Sequence, residues 1–87
     1  MSNTNTTERK YSVKYNRQTE NTKMSNELFF SDYGQAVDYF RKRVVEEADF
    51  LTYIQGTATY ELLKYHSREE GTYQLMRSVT LGSSNNN

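Results

Sequence analysis

The fold is decided by residues 31–48, SDYGQAVDYFRKRVVEEA, which have the clearest periodicity in the chain. Apolar side chains recur there every three or four residues, a spacing that places them on one face of an α-helix. Ser31 is the predicted N-cap, and Asp32 suits the positive end of the helix dipole. The predicted apolar face consists of Tyr33, Ala36, Val37, Phe40, Val44 and Ala48.

The polar face of this helix carries opposite charges four residues apart, at Asp38–Lys42–Glu46 and Arg43–Glu47. Such pairs favour a helix in water. Acidic residues near the helix end oppose its dipole, so we favour an end near Ala48. Two alternatives remain open: a helix that continues to about Ile54 with Gly56 as its C′ residue, and an extended segment over residues 50–55.

The segment before the helix contains one clear strand. In residues 10–16, KYSVKYN, the side chains of Tyr11, Val13 and Tyr15 alternate with polar ones, which is typical of a half-buried strand. Residues 18–26 are polar and show no period, so we interpret them as a long loop. Residues 27–30, ELFF, add a short extended piece.

The C-terminal third of the chain is predicted to be a β-hairpin. Residues 57–65 and 72–81 flank a turn at residues 66–71, where Gly71 can adopt the positive φ that closes such turns. Pairing Tyr65 with Thr72 places a consistent apolar layer on one face of the hairpin. That predicted inner layer consists of Ala58, Tyr60, Leu62, Tyr73, Leu75 and Val79.

These elements predict a small α+β fold in the order β-(β)-α-β-β. An antiparallel sheet of three or four strands would carry one amphipathic helix on one face. Residues 9–81 form the predicted domain, and residues 1–8 and 82–87 are predicted to be disordered tails because they are polar and simple in composition. A long polar loop before FSDYGQAVDYF, residues 30–40, is similar in organisation to small α+β proteins of phages and mobile elements, and no site residue follows from that similarity.

Composition argues against several classes of function. Eleven basic and eleven acidic residues balance, which disfavours binding to nucleic acid by bulk charge. The chain has no Cys and one His, His66, so we expect no metal site, no cofactor and no catalytic nucleophile–base pair. A domain of this size also has little room for a small-molecule substrate. No secretion signal or membrane-spanning run is visible, so we expect a cytoplasmic, non-enzymatic protein.

Protein binding is the leading hypothesis for function. One helix covers one face of a sheet, so the reverse face of the hairpin should meet water. In the predicted register that face presents Leu63, Tyr65 and Met76, which are more apolar than a solvated surface needs. We therefore expect another protein, or a second copy of this chain in a homodimer, to bind there.

Nucleic-acid binding or a regulatory role based on it is the alternative hypothesis. Basic residues interleaved with Tyr11 and Tyr15 are the ingredients of single-strand recognition. The tyrosines and lysines alternate, however, so they lie on opposite faces of the strand, and the helix must cover the tyrosine face. The candidate residues for this alternative are Lys10, Lys14, Arg17 and Lys23.

Overall fold

The structure, a computed structural model, describes residues 9–82. Its elements are β1 (Tyr11–Thr19), β2 (Lys23–Phe30), α1 (Tyr33–Phe50), β3 (Gly56–Ser67) and β4 (Thr72–Gly82). The predicted α+β class and element order are confirmed. Of the predicted disordered tails, residues 1–8 and 83–87 lie outside the described residues, and Gly82 is the last residue of β4.

The strands form one four-stranded antiparallel sheet in the order β2-β1-β3-β4. Each outer strand forms a hairpin with its inner neighbour, and the two hairpins meet where β1 pairs with β3. α1 packs against one side of this sheet, which we call the covered face. The opposite side is the open face.

The hydrophobic core lies between α1 and the covered face. The alternation in β1 is confirmed, since Val13 is fully buried and Tyr15 is 8% exposed beneath the helix. Phe40 is the largest buried apolar side chain of α1 and is 3% exposed. The buried core residues are Val13, Tyr15, Ala36, Phe40, Leu51, Ala58, Tyr60 and Leu62.

The long loop predicted over residues 18–26 is wrong. β1 continues to Thr19, the chain turns through residues 20–22, and β2 begins at Lys23. The backbone N–H of Thr19 donates to the Thr22 carbonyl at 2.9 Å and closes the turn. Residues 23–26 are exposed, and their sequence shows no alternation of apolar and polar residues. They form a strand because their backbone pairs with that of β1.

Both ends of α1 differ from the prediction. Asp32, rather than Ser31, is the N-cap, and its Oδ2 accepts the Gln35 N–H at 3.0 Å. The helix ends at Phe50, past Ala48, and residues 51–54 form turns instead of an extended segment or further helix. Gly56 begins β3.

No helix among residues 9–82 combines the length and apolar character needed to cross a bilayer.

The register predicted for the β3–β4 hairpin is wrong, although Gly71 does adopt a positive φ of 75°. Ser67 pairs with Thr72 and Tyr65 with Tyr73, so His66 is an extra residue on β3. Met76 is extra on β4, at a second bulge. Each extra residue shifts the pairing by one.

The two bulges change which side chains share a face. The predicted inner layer is correct for Ala58, Tyr60 and Leu62, which are buried in the core. It is wrong for Tyr73 and Leu75, which lie on the open face and are about half exposed, at 49% and 50%.

Candidate functional site

The covered face holds a buried ionic cluster at the end of α1, formed by Arg17, Glu47 and Tyr60. The Arg17 Nε and Nη2 donate to the two carboxylate oxygens of Glu47 at 2.7 and 2.8 Å. The Tyr60 hydroxyl donates to Glu47 Oε1 at 2.9 Å, and Glu47 is 1% exposed. Both carboxylate oxygens are therefore engaged within the chain.

The electrostatics of this cluster fit a structural role. The hydrogen bonds from Arg17 lower the pKa of Glu47, whereas burial and the bond to Glu47 raise the pKa of Tyr60. Arg17 also lies over the Phe50 ring, with 4.2 Å from its guanidinium carbon to the ring centroid. A cation from β1 thus offsets the negative charge at the C-terminal end of α1. The last turn of the helix contains no basic residue that could do so.

The predicted helix-surface ion pairs are therefore wrong. Glu47 turns inward to Arg17 instead of pairing with Arg43, and Arg43 binds Glu46 at 2.8 Å. These are the ion pairs formed among residues 9–82, so Asp38 and Lys42 take no part in one.

The open face carries an apolar region at one end, which we call the aromatic patch: Phe29, Leu63, Tyr65, Tyr73 and Leu75. The Tyr65 ring contacts those of Phe29 and Tyr73, with centroids 5.7 and 5.3 Å apart. Leu63 is 1% exposed, whereas Tyr73 and Leu75 are about half exposed. The patch is therefore continuous across the sheet, with its outer side chains accessible.

A hydrogen-bonded carboxylate holds Tyr65 in position. Glu27 Oε2 accepts from the Tyr65 hydroxyl at 2.8 Å and from the Ser12 hydroxyl at 2.7 Å, and Ser12 is fully buried. Burial together with the bond to Glu27 raises the pKa of Tyr65 to about 12. The hydroxyl therefore acts as the donor in the bond to Glu27, and this bond orients the ring.

Arg68, from the β3–β4 turn, reaches over the aromatic patch. Its guanidinium carbon lies 3.8 Å from the centroid of the Phe29 ring. The same side chain donates to the Arg9 carbonyl at 3.4 Å. A cation thus borders the patch on the side of the turn.

A row of charged side chains crosses the middle of the open face. Lys14 of β1 pairs in register with Glu27 of β2 and Glu61 of β3, and Glu61 in turn with Ser78 of β4. Lys14 and Glu61 are half-buried, yet neither forms an ion pair or side-chain hydrogen bond within residues 9–82.

The opposite end of the open face is polar and concave. A groove of about 390 Å³ follows the last part of β1 between β2 and β3. Amide and hydroxyl groups and one lysine from the open face line it: Asn16, Gln18, Lys23, Ser25, Thr57 and Thr59. The open face therefore divides into an apolar end, a charged middle and a polar end.

The structure separates the residues predicted for protein binding. Tyr65 lies on the open face as expected, within the aromatic patch. The exposure expected for Leu63 is wrong, because this residue is 1% exposed. Met76, the bulge residue of β4, packs against the core instead.

Other residues of the aromatic patch were missed by sequence reasoning. The sequence predicts Phe29 only as part of a short extended piece, and it predicts Tyr73 and Leu75 in the inner layer. A prediction that β2 pairs with β1 along its whole length would have placed Phe29 beside Ser12, and therefore on the open face. The β4 residues depend on the bulges, for which the sequence carries no visible signal.

The basic residues of the nucleic-acid alternative do not form one cluster, although Lys14 and Lys23 both lie on the open face. Arg17 lies on the covered face and is bound to Glu47. Lys14 lies in the charged row of the open face, while Lys10 and Lys23 are exposed near opposite ends of the β1–β2 hairpin.

Comparison with known proteins finds no family model, curated protein or solved structure that matches this chain. Within residues 9–82, no group of three or more His, Cys, Asp or Glu side chains could hold a metal ion.

Proposed function

We propose that this protein is a non-enzymatic binding module that holds another protein on the open face of its sheet. The aromatic patch is the observation that carries this proposal. It joins β2, β3 and β4 in one apolar surface, and α1 packs on the other side of the sheet. Contiguous exposed apolar surface of this kind marks interaction sites in proteins.

The surroundings of the patch support a protein as the partner. Aromatic residues are enriched in the centre of protein interfaces, while the rim is polar and hydrated. Here the charged row and Arg68 border the aromatic centre. The hydrogen bond to Glu27 holds Tyr65 in one orientation, which lowers the entropic cost of binding.

The same charged row disfavours a nucleic acid on this face. Glu27 and Glu61 flank Lys14 across the strands, so two carboxylates would face the phosphates of a bound strand. The overall charge of zero gives no compensating attraction. Nuclease treatment in a capture experiment distinguishes a bound nucleic acid from a bound protein.

We place this binding in the cytoplasm. The chain contains no cysteine, whereas small domains of oxidising compartments are commonly stabilised by disulfides. Microscopy of the tagged protein in its native cell checks this location.

A matched pair of β4 variants tests the proposal. Leu75→Lys places a charge in the aromatic patch, and Gln74→Lys places the same charge one residue away on the other face. Both residues are exposed, so both variants should fold, as circular dichroism can verify. Proteins captured from a nuclease-treated native lysate by the wild type and by Gln74→Lys should be lost with Leu75→Lys.

The captured protein must then bind directly when purified, with the same dependence on Leu75. Equal capture by the two variants, or capture that disappears on nuclease treatment of the wild-type sample, overturns the proposal.

A further inference from the structure

We infer that the partner is a second copy of this chain, bound open face to open face. The two-fold axis of this dimer lies in the interface, parallel to the strands and above the gap between β1 and β3. This inference rests on the proposed function, because it uses the same face and the same aromatic patch. The order β2-β1-β3-β4, the charged row and the area of the face support it.

The sheet order makes such an axis possible. β1 and β3 lie at the centre, so a two-fold axis between them exchanges β1 with β3 and β2 with β4. Each end of the sheet then stays above the same end of the second copy. Each aromatic patch then lies opposite the other, and Phe29, with the Arg68 guanidinium over its ring, lies across from the partner's Leu75.

The charged row is self-complementary about this axis. Because Lys14 and Glu61 are directly opposed on neighbouring central strands, the exchange places Lys14 over the partner's Glu61, and Glu61 over the partner's Lys14. Both side chains are half-buried and unpaired within the described chain, so the second copy supplies the ion pair that each lacks. A two-fold axis across the strands at this row would stack Lys14 on Lys14, which disfavours that arrangement.

The size of the open face limits the area that a dimer can bury. Four strands about 4.8 Å apart give a width of about 19 Å. The nine residues of β1 span about 30 Å at about 3.3 Å per residue. Each copy therefore contributes about 600 Å², and the total of about 1,200 Å² lies at the lower end for stable interfaces. We expect a dissociation constant on the order of micromolar.

A charge swap tests both the partner and the axis. Lys14→Glu and Glu61→Lys each place like charges at both crossings, whereas the double variant restores opposite charges with the order reversed. Sedimentation equilibrium on the tag-free chain, from about 1 to about 300 μM, brackets a micromolar constant. The wild type should dimerise, each single variant should weaken the dimer about tenfold or more, and the double variant should recover most of the affinity.

Thermal melts at low concentration show that each variant folds, and Gln74→Lys, exposed on the opposite face of the same sheet, is the matched charge control. A wild type that stays monomeric at about 300 μM, far above a micromolar constant, overturns the inference. Dimers that survive both single variants overturn it as well, because the axis would then be different. In either case the capture experiment with Leu75→Lys still decides separately whether the open face binds some other protein.

Discussion

The two faces of the sheet each hold a carboxylate that accepts a hydrogen bond from a tyrosine, yet only one of them is neutralised. On the covered face Glu47 accepts from Tyr60 and also binds the guanidinium of Arg17. On the open face Glu27 accepts from Tyr65 and from a serine hydroxyl, both of which are neutral. The charge of Glu47 is therefore balanced by a cation on the covered face, whereas the donors to Glu27 on the open face carry no charge.

The apolar side chains show the same contrast. Phe40 is 3% exposed on the covered face, whereas the outermost patch residue of the open face, Leu75, is 50% exposed. Leu63 belongs to the aromatic patch but is only 1% exposed. The open face therefore has a buried layer and an accessible layer. Substitutions that distinguish these layers test the comparison directly.

The largest effect is expected for a charge in the buried layer of the open face. Leu63→Lys should cost more than about 4 kcal/mol, because an unpaired ammonium would be buried, and this is enough to unfold most small domains. Leu75→Lys should change stability by less than about 0.5 kcal/mol, because the side chain already meets water. Urea denaturation at low protein concentration measures both, and similar losses for the two variants would show that the layers are not distinct.

Phenylalanine truncation compares the packing of the two faces. Phe40→Ala should cost about 3–5 kcal/mol, the usual range for a fully buried aromatic residue. Phe29→Ala should cost about 1 kcal/mol, because this ring is only partly buried. The same denaturation experiment separates them, and a Phe40→Ala protein that melts within a few degrees of the wild type would place the core elsewhere.

Isosteric amides compare the two carboxylates. Glu47→Gln should cost about 3 kcal/mol, since it breaks a buried ion pair and leaves Arg17 without its counter-charge. Glu27→Gln should cost about 1 kcal/mol, since it weakens hydrogen bonds from neutral donors. If Glu27→Gln proves the more costly, the open face carries more of the stability than its exposure indicates.

The pH dependence that Glu47 contributes tests the same ion pair by titration. Arg17 lowers the pKa of Glu47 in the folded protein, so its contribution is complete above the pKa of the unfolded carboxyl, about 4.3. The contribution is lost as the pH falls through the lower, folded pKa. The difference in stability between the wild type and Glu47→Gln should therefore begin to shrink as the pH falls below about 4.3 and should vanish below the folded pKa of Glu47; a difference that stays constant between pH 7 and pH 3 would contradict this.

The parts of the fold that follow a local period could be predicted from the sequence. The helical phase that buries Ala36 and Phe40 is visible in the three- and four-residue spacing, and the phase of β1 is visible in its alternation. Gly71 was also foreseeable, because a positive φ in a turn favours glycine.

The register of β4 could not be predicted from the sequence. Most of the candidate site depends on this register and so could not be predicted either. His66 and Met76 each insert one residue into a strand, and a shift of one residue sends every following side chain to the other face. Neither residue differs in type from those that pair normally in strands. The bulges therefore follow from the packing of the whole sheet and not from the local sequence.

The ion pair between Arg17 and Glu47 joins residues 30 positions apart, so no short-range pattern reveals it. A hint was present, because acidic residues at the end of α1 need a cation that the helix does not supply. The sequence indicates that such a cation is required but not which strand provides it.

The order β2-β1-β3-β4 also determines how the chain reaches its native state. Each hairpin closes locally and can form within about 1–10 μs, whereas the central seam joins residue 11 to residue 64 across the whole of α1. That step closes a long loop before its contacts become favourable, so it limits the folding rate. During synthesis β1 emerges well before β3, so the edge of β1 that pairs with β3 in the native sheet has no partner until β3 is made. The interval between these two strands is therefore the time when the protein is most prone to aggregate.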